Sequence, residues 1–381
     1  MHVNDLLTIA VESGASDLHL KVGSYPMMRV RGTLVPATEE QRLTHDDLSR
    51  IAESVLPPEQ QEKFRRTHET DLAYSVGGLG RFRCNVFQQR GTIGLIFRVI
   101  PMHPITLEDL LLPRVLKRIA AEERGLVLVT GTTGSGKSTT LAGMIHEINC
   151  TRSTHVMTIE DPIEYLHRDN KSIINQREIG VDTDSFALAL RSALRQDPDV
   201  LLVGEMRDYE TIETALLAAE TGHLVFSTLH TLDATETINR IIAVFPPHQQ
   251  KQIRIQLASV LKAVISQRLI PRADGKGRVP AVEVLISTAF IRDCIMDKER
   301  THMIPGAIAQ GTSQYGMQTF DQSIFGFFAQ GLLTYEDALR WCSNVDEFKL
   351  KVQGIATTAE LAREEMARSN ASMPEVTRFG Q

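Results

Sequence analysis

The sequence predicts an α/β protein of two domains, of which the second is the larger and ends in helices. A chain of 381 residues is longer than one ordinary hydrophobic core accommodates, so two domains are expected. In the second half of the chain, short apolar segments alternate with helical ones, which is typical of a parallel or mixed sheet buried on both faces. The first quarter has the pattern of a smaller mixed α/β unit.

Residues 1–98 predict a helix followed by several strands. MHVNDLLTIAVESG carries apolar residues at helical spacing. DLHLKV alternates apolar and polar residues and therefore predicts a strand, and GRFRCNVFQQRGTIGLIFRVI predicts two strands joined near Gln89–Thr92. Pro101 and Pro104 then follow in VIPMHPITLEDL, so we place a linker at residues 99–110.

The second domain is predicted at residues 111–365, with a polar tail at residues 366–381 that lacks periodicity. Helices are predicted for SFALALRSALRQ and ETIETALLAAETG, between apolar strands. The predicted strands are residues 125–131, 154–161, 199–205 and 223–229. From about residue 248 the pattern turns mostly helical. One predicted helical stripe, assigned to core packing, contains Ile253, Leu257, Val260, Leu261, Val264 and Ile265.

The amino-acid composition argues against several classes of function. The net charge of -6 argues against a strongly basic surface for nucleic acid or anionic lipid. The four cysteines are widely separated, which excludes CxxC zinc and redox motifs and fits a reducing compartment. The N-terminus lacks the cationic start of a signal peptide, and no apolar run reaches the roughly 20 residues of a membrane span. We therefore expect a cytoplasmic protein that could dock on a membrane protein.

GTTGSGKSTT has the spacing of a phosphate-binding loop, and it lies between an apolar strand and an amphipathic helix. Its glycines allow successive backbone N–H groups to point at phosphates. Lys137 would reach the β- and γ-phosphates of ATP, and the Ser138 hydroxyl would bind Mg²⁺. The predicted nucleotide-binding residues are Gly131, Thr133, Gly134, Ser135, Gly136, Lys137, Ser138 and Thr139.

Acidic residues follow two of the predicted strands. TIEDPIEY places Glu160 and Glu164 at a strand end, where ligands lie in such sheets. DVLLVGEMRD places Glu205 at another strand end, where phosphate-loop enzymes carry a second acidic metal contact, although Gly204 stands where an aspartate is usual. HLVFSTLHT brings His230 to a further strand end, where it could sense the γ-phosphate. Together these side chains predict a hydrolytic site.

Arg81 and Arg83 alternate in GRFRCNVF, so both would face the same side of a strand. By itself this pattern indicates a solvated basic strand face. Arginines supplied by another domain or subunit can also clamp a γ-phosphate.

Taken together, these motifs resemble the secretion ATPase superfamily, the hexameric motors of type II secretion and type IV pili. GTTGSGKSTT resembles its Walker A motif, TIEDPIEY its aspartate box, VLLVGEMRD its atypical Walker B motif and GHLVFSTLHT its histidine box, in that order. ASDLHLKVGSYPMMRVRG resembles the start of its PAS-like N-terminal domain. The resemblance covers about residues 1–350. It implies a PAS-like α/β domain followed by a RecA-like phosphate-loop ATPase domain with a helical C-terminal part.

Within the superfamily the chain most resembles the retraction ATPases of twitching motility. It has their length and the stretch QYGMQTFDQSI, without a long N-terminal extension or a four-cysteine zinc module. Their C-terminal signature is close to AIRNLIRE; here it is FIRDCIMD, which retains Arg292 but has Met296 at the second arginine. The resemblance leaves open whether the chain is a main retraction motor or an accessory paralogue.

The resemblance also implies roles for the candidate residues. Glu164 would polarise the attacking water, with Glu160 as the rival. Glu205 would contact Mg²⁺ through water, while Lys137 and Ser138 would hold the phosphates and the metal.

Further implied roles concern the coupling of ATP to movement. His230 would report the nucleotide state, and Arg81 and Arg83 would reach the γ-phosphate from the N-terminal domain. A homo-hexamer would bind ATP between the two domains of each subunit. It would act on an inner-membrane platform protein from the cytoplasmic face of the inner membrane, together with a paralogous retraction ATPase if one is present.

Two alternatives from other classes remain at this stage. A RecA-like nucleic-acid motor would share the loop and the hexameric habit, but it would carry a basic channel with aromatic residues. A non-hydrolysing regulatory subunit would bind ATP without turnover, although all the acidic residues expected for hydrolysis are present.

Overall fold

A computed structural model describes residues 2–101 and 105–354. The chain forms two compact units, the first of Met1–Pro104 with Ile163–Arg168 and the second of Ile105–Pro162 with Asp169–Gln381. The short segment Ile163–Arg168 therefore groups with the first unit, although the sequence placed it inside the second domain. Part of the predicted linker and the whole predicted tail lie outside the described residues, and the predicted domain boundaries remain proposals.

The first unit contains a six-stranded antiparallel sheet in the order β3-β2-β1-β6-β5-β4. Its strands are β1 (Asp17–Lys21), β2 (Met27–Val30), β3 (Thr33–Pro36), β4 (Glu69–Val76), β5 (Gly80–Gln89) and β6 (Thr92–Val99). Its helices are α1 (Val3–Glu12), α2 (His45–Val55) and α3 (Pro58–Thr67). The predicted first helix and the strands β1, β5 and β6 are confirmed.

Alternation along β5 gives the first unit both its core and a polar strand face. Phe82, Cys84 and Val86 are fully buried and pack with residues of α1, α2 and β6 in one apolar cluster. Arg81 and Arg83 occupy the intervening positions and are not buried. The predicted placement of both arginines on one face of a strand is confirmed.

The second unit contains a seven-stranded sheet in the order β13-β12-β7-β11-β10-β8-β9. All neighbouring pairs are parallel except β12 and β13. The strands are β7 (Gly125–Thr130), β8 (His155–Glu160), β9 (Ile173–Glu178), β10 (Val200–Val203), β11 (Leu224–Leu229), β12 (Leu261–Pro271) and β13 (Arg278–Ile286). The four predicted strands correspond to β7, β8, β10 and β11.

Helices cover both faces of this sheet, and the two faces form separate apolar clusters. The helices are α4 (Val115–Ala120), α5 (Lys137–Thr151), α6 (Phe186–Ala193), α7 (Tyr209–Glu220), α8 (Ala234–Ala243), α9 (Gln250–Val260), α10 (Ala289–Met296), α11 (Ile304–Gln310), α12 (Thr312–Tyr315), α13 (Phe320–Ala329), α14 (Tyr335–Trp341) and α15 (Val345–Val352), with a 3₁₀ helix at Lys298–Met303. The predicted helical C-terminal part is confirmed from α10 onward.

The single helical stripe predicted across residues 253–265 is wrong. Helix α9 ends at Val260, and Val264 and Ile265 lie in β12 between β7 and β13. A strand buried on both faces is apolar at nearly every position, so its sequence continues the apolar pattern of the preceding helix. The hydrogen bonds offered by β7 and β13, and the β-branched residues, favour the strand.

Among residues 2–101 and 105–354, no helix is both long enough and apolar enough to cross a bilayer.

Candidate nucleotide site

Four predicted motifs meet at one edge of the second unit's sheet. Strands β7, β11, β10 and β8 are consecutive neighbours and run parallel, so their carboxyl ends lie side by side. The phosphate loop follows β7, His230 follows β11, Glu205 follows β10, and Glu160 is the last residue of β8. Ligands of open α/β sheets bind at such an edge.

The loop after β7 has the backbone of a phosphate cradle. Gly131, Gly134 and Gly136 have φ of 141°, 79° and 93°, which residues with a side chain rarely adopt. Helix α5 begins at the next residue, Lys137, and no side chain among the described residues caps its first turn. The N–H groups of its first turn and the helix dipole therefore favour an anion at this position.

Lys137 is folded into the loop. Its Nζ donates to the carbonyl oxygens of Gly131 at 2.8 Å and Thr132 at 3.0 Å, and the residue is only 9% exposed. The positive charge is thereby held within the loop. Ser138 and Thr139 follow in the first turn of α5 and are half-buried.

Glu205, Arg207 and His230 form a charged group beside the loop. Arg207 Nε forms a close ion pair with Glu205 Oε1, and His230 Nε2 lies 3.5 Å from the same oxygen. Burial, then the positive charges of Lys137 and Arg207, lower the pKa of His230 below its ordinary value. The lowered pKa favours the neutral imidazole, and a change in nearby charge would change this pKa.

Gly204 stands where the Walker B motif usually has an aspartate, and the neighbouring backbone leaves little room for a side chain at this position. Its N–H donates to the carbonyl of Ile159 at 2.8 Å and extends the pairing of β10 with β8. A Cβ at this position would lie 3.1 Å from the Ile159 oxygen and 3.3 Å from the Glu160 Cα. The glycine thus permits the ends of β8 and β10 to approach, which brings the backbones that carry Glu160 and Glu205 together.

Glu160 is held in place by its neighbours. Its Oε1 accepts hydrogen bonds from Thr158 Oγ1 at 2.6 Å and from Gln176 Nε2 at 3.2 Å. Thr158 is fully buried on β8, and Gln176 lies on the adjacent β9. The carboxylate therefore has a fixed orientation at the strand end.

The other three candidates, Glu164, Arg81 and Arg83, belong to the first unit. Glu164 is exposed in the segment Ile163–Arg168. Within that unit, the Leu166 N–H donates to the Pro101 carbonyl at 3.4 Å. Arg83 Nε lies 3.7 Å from Asp71 Oδ1. The roles of Glu164, Arg81 and Arg83 toward a nucleotide remain predictions.

Gln267, which none of the sequence motifs indicated, is buried in β12 next to the loop. It lines a cavity of about 430 Å³ together with the loop residues Gly131–Ser135 and the end of α14. A polar residue within the apolar run LKAVISQRLI was the available signal. The helical interpretation of that run concealed that Gln267 lies on a strand beside β7.

Comparison with known proteins identifies the family. The model of the family described as Type II/IV secretion system protein matches residues 105–340. The chain belongs to this family.

Among its relatives, the Pseudomonas aeruginosa Type IV pilus retractation ATPase PilT is 47% identical over 338 residues, covering 89% of this chain and 97% of that protein. The Type IV pilus ATPase PilU of the same organism is 42% identical, covering 93% and 92%. The crystal structure of the pilus retraction motor PilT with bound ADP is 45% identical and superposes with a TM-score of 0.83, covering 91% of this chain and 98% of that one. The Legionella pneumophila ATPase DotB is 29% identical, with a TM-score of 0.75 and coverages of 93% and 96%.

These findings confirm the family predicted from the four motifs. They also confirm the predicted fold class of a PAS-like N-terminal domain followed by a RecA-like phosphate-loop domain that ends in helices. The roles of the individual site residues stay predictions.

Proposed function

We propose that this chain is an ATPase motor of type IV pilus retraction, the function that the motif resemblance predicted. The whole-chain similarity carries the proposal, because two proteins named for retraction or twitching are 47% and 45% identical to it. The first of these relatives is matched over nearly its entire length. Residues from all four boxes also lie at one sheet edge, which supports a single catalytic centre.

The phosphate loop supplies the binding part of the chemistry. The uncapped first turn of α5 offers backbone N–H groups, and Lys137 adds a positive charge inside the loop. Both favour the β- and γ-phosphates of ATP over a neutral ligand.

Mg²⁺ is the metal that the donors suit. A Ser138 hydroxyl and a Glu205 carboxylate are oxygen donors, and Mg²⁺ in such sites takes few protein ligands beside phosphate oxygens and water. The described residues contain no cluster of three or more His, Cys, Asp or Glu side chains that could hold a metal by themselves. A bound Mg²⁺ would neutralise charge on the phosphates.

Glu164 is our choice for the residue that orients and activates the attacking water. The rival, Glu160, already accepts two hydrogen bonds on one carboxylate oxygen, which makes that oxygen less available to water. Glu164 is exposed and carries no such restraint from the described residues of its own unit. We assign His230 to sensing the γ-phosphate, and Arg81 and Arg83 to stabilising its charge.

The motor is proposed to work as a homo-hexamer at the cytoplasmic face of the inner membrane. Hydrolysis would move the subunits against a platform protein of the pilus machine, so that pilin subunits leave the fibre. Both the oligomer and the platform partner follow from the family resemblance.

An accessory role is the second candidate, and one observation favours it. Met296 takes the place of the second arginine in the C-terminal signature, and it is 43% exposed at the end of α10. A basic contact that the signature arginine would make is therefore replaced by an apolar one. The relative PilU, a Type IV pilus ATPase that is 42% identical to this chain, is the reference for testing an accessory role.

The proposal is tested by the mass of the purified chain with Mg²⁺ and ATP and by its steady-state ATPase rate. A particle of about six times 42.5 kDa that hydrolyses ATP is the expected result. A monomer without turnover would contradict the motor as proposed. Expression in cells that lack only their main retraction ATPase then separates the two roles, because a main motor restores twitching and an accessory paralogue does not.

A further inference from the structure

Strand β12 places Gln267 beside the phosphate loop. Ser266 is paired in register with Thr130, the last residue of β7, and the Thr130 hydroxyl donates to Ser266 Oγ at 3.0 Å within the core. Gln267 is the next residue and is only 3% exposed. It therefore lies level with the first residue of the loop, Gly131.

Two glycines of the loop are packed against this one residue. A Cβ on Gly136 would lie 2.7 Å from Gln267 Nε2, and a Cβ on Gly131 would lie 2.4 Å from the Gln267 carbonyl oxygen. Real Cβ atoms are not found so close to other heavy atoms. The loop backbone thus packs directly against Gln267, and replacing either glycine would displace Gln267 or the loop.

The amide of Gln267 is oriented by the helix that follows the loop. Its Oε1 accepts a hydrogen bond from Thr140 Oγ1 at 2.7 Å, and Thr140 is itself 1% exposed. This buried bond links β12 to the first turns of α5, whose N-terminus belongs to the phosphate cradle. With the oxygen engaged, the amide nitrogen is directed at the Gly136 backbone.

Gln267 lines the cavity that the loop also lines, and its amide nitrogen is not one of the fully buried, unpaired polar side-chain atoms of the described residues. A residue that only filled the core would be apolar, because burying an amide costs free energy unless its polar groups are hydrogen-bonded or reach a cavity that water can enter. The side chain is therefore better suited to hold the loop and to present positive dipole toward an anion.

We propose that Gln267 is a positioning residue of the nucleotide site, which keeps the phosphate loop in its anion-binding form by bonding Thr140 and packing its amide nitrogen against Gly136. It acts through the loop, by fixing the backbone N–H groups around Gly136. The inference rests on the proposed function, since the anion concerned is the phosphate group of a nucleotide.

Gln267→Glu is the decisive variant. A carboxylate keeps the shape and still accepts from Thr140, but it replaces the N–H donor with negative charge beside the loop. We expect the Kd for ADP, measured by titration at pH 8, to rise at least about tenfold, the scale of one lost or reversed polar contact. Burial at this position raises the pKa of the introduced carboxyl, so relative to wild type at each pH the affinity should recover as the pH falls toward 6, because the protonated carboxyl resembles the amide.

Gln330→Glu is the matched control, since it makes the same change at an exposed residue after α13 and should bind ADP like wild type. Thr140→Val is a second test that leaves Gln267 unchanged, and it should weaken ADP binding without a pH-dependent recovery. The unfolding midpoint of each variant without nucleotide shows that it is folded.

Binding of ADP by Gln267→Glu within twofold of wild type at pH 8 would overturn the inference, as would an affinity loss that does not change with pH. If Gln267→Glu does not fold, wild-type affinity in Thr140→Val overturns it instead. Failure of wild type itself to bind ADP would contradict the proposed function, so the two failures are distinguishable.

Discussion

His230 owes its electrostatic environment to residues that are distant in sequence. Burial and the charges of Lys137 and Arg207 disfavour its protonated form, and the pKa of His230 is lowered as a result. Its Nε2 also lies near Glu205 at the end of the neighbouring strand. A group whose charge state depends on its neighbours in this way is suited to report a change at the phosphate loop.

We expect His230 to titrate below the ordinary histidine value of about 6.5 and to be neutral at pH 7. Protonation then favours the unfolded chain, so this residue's contribution to stability is lost as pH falls from about 6.5 through its folded pKa. An NMR titration, assigned with His230→Asn, measures it directly. Lys137→Ala should raise the pKa of His230, and a wild-type pKa above 6.5 would refute this environment.

Two isosteric substitutions distinguish whether Glu164 or Glu160 activates the attacking water. Glu164→Gln should retain ATP binding and lose turnover by about 10²-fold or more, the usual scale for an acid–base residue. Glu160→Gln should have the smaller effect on turnover, because Thr158 and Gln176 donate to its carboxylate and can still donate to an amide oxygen. ATP binding and single-turnover hydrolysis measure both steps, and the opposite ranking would transfer the role to Glu160.

Most of the individual loop residues could be predicted because a phosphate loop is a local motif, complete within ten residues. Gln267 could not, because its contacts with Gly136 and Thr140 join parts of the chain more than a hundred residues apart. Arg207 was also overlooked, although it stands within the quoted Walker B stretch. Its pairing with Glu205 depends on how the chain turns after β10.

Gly204 leaves little room for a side chain between the ends of strands β8 and β10. Gly204→Ala would place a methyl group against the backbone of Ile159 and Glu160. We expect turnover to fall several-fold, with a loss of about 1–3 kcal/mol in unfolding free energy, the usual cost of overpacking. Gly326→Ala in α13 is the control, because nothing lies within 4 Å of its added Cβ.

Thermal or denaturant unfolding and steady-state turnover measure both effects of Gly204→Ala. If turnover is unchanged in Gly204→Ala as well as in Gly326→Ala, the spacing of the two strand ends is unimportant for hydrolysis.

Elements with a single clear periodicity were predicted well, whereas β12 was not. The strands β7, β8, β10 and β11 are short apolar runs bounded by polar turns, and this pattern fits a buried strand better than a helix. Strand β12 directly follows α9 without a turn residue, and an apolar run on both faces fits a buried helix equally well. Only its pairing with β7 and β13 distinguishes the two.

At the scale of the whole molecule, the aspartate box is divided between the two units. Glu160 belongs to the second unit, while Glu164 groups with the first. The sequence motif is continuous, so this division was not predictable from spacing. It places the preferred catalytic glutamate in the same unit as Arg81 and Arg83, the proposed γ-phosphate arginines.

The proposed contribution of the first unit to hydrolysis is tested at Arg83. Arg83→Ala should lower turnover at saturating ATP by about tenfold or more, as expected for a charge that stabilises the transition state. Asp71→Asn is the control, because it removes the 3.7 Å ion pair and keeps the arginine. Equal loss in both variants would indicate a structural ion pair, and loss in neither would exclude Arg83 from the reaction.

The central claim is that this chain hydrolyses ATP at the loop after β7. The most direct test is the steady-state ATPase rate of wild type and Lys137→Ala, measured side by side with Mg²⁺ and with folding checked by the unfolding midpoint. The account predicts turnover by wild type and its loss in the folded variant, because the charge held inside the loop is gone. Turnover by Lys137→Ala at the wild-type rate would contradict it.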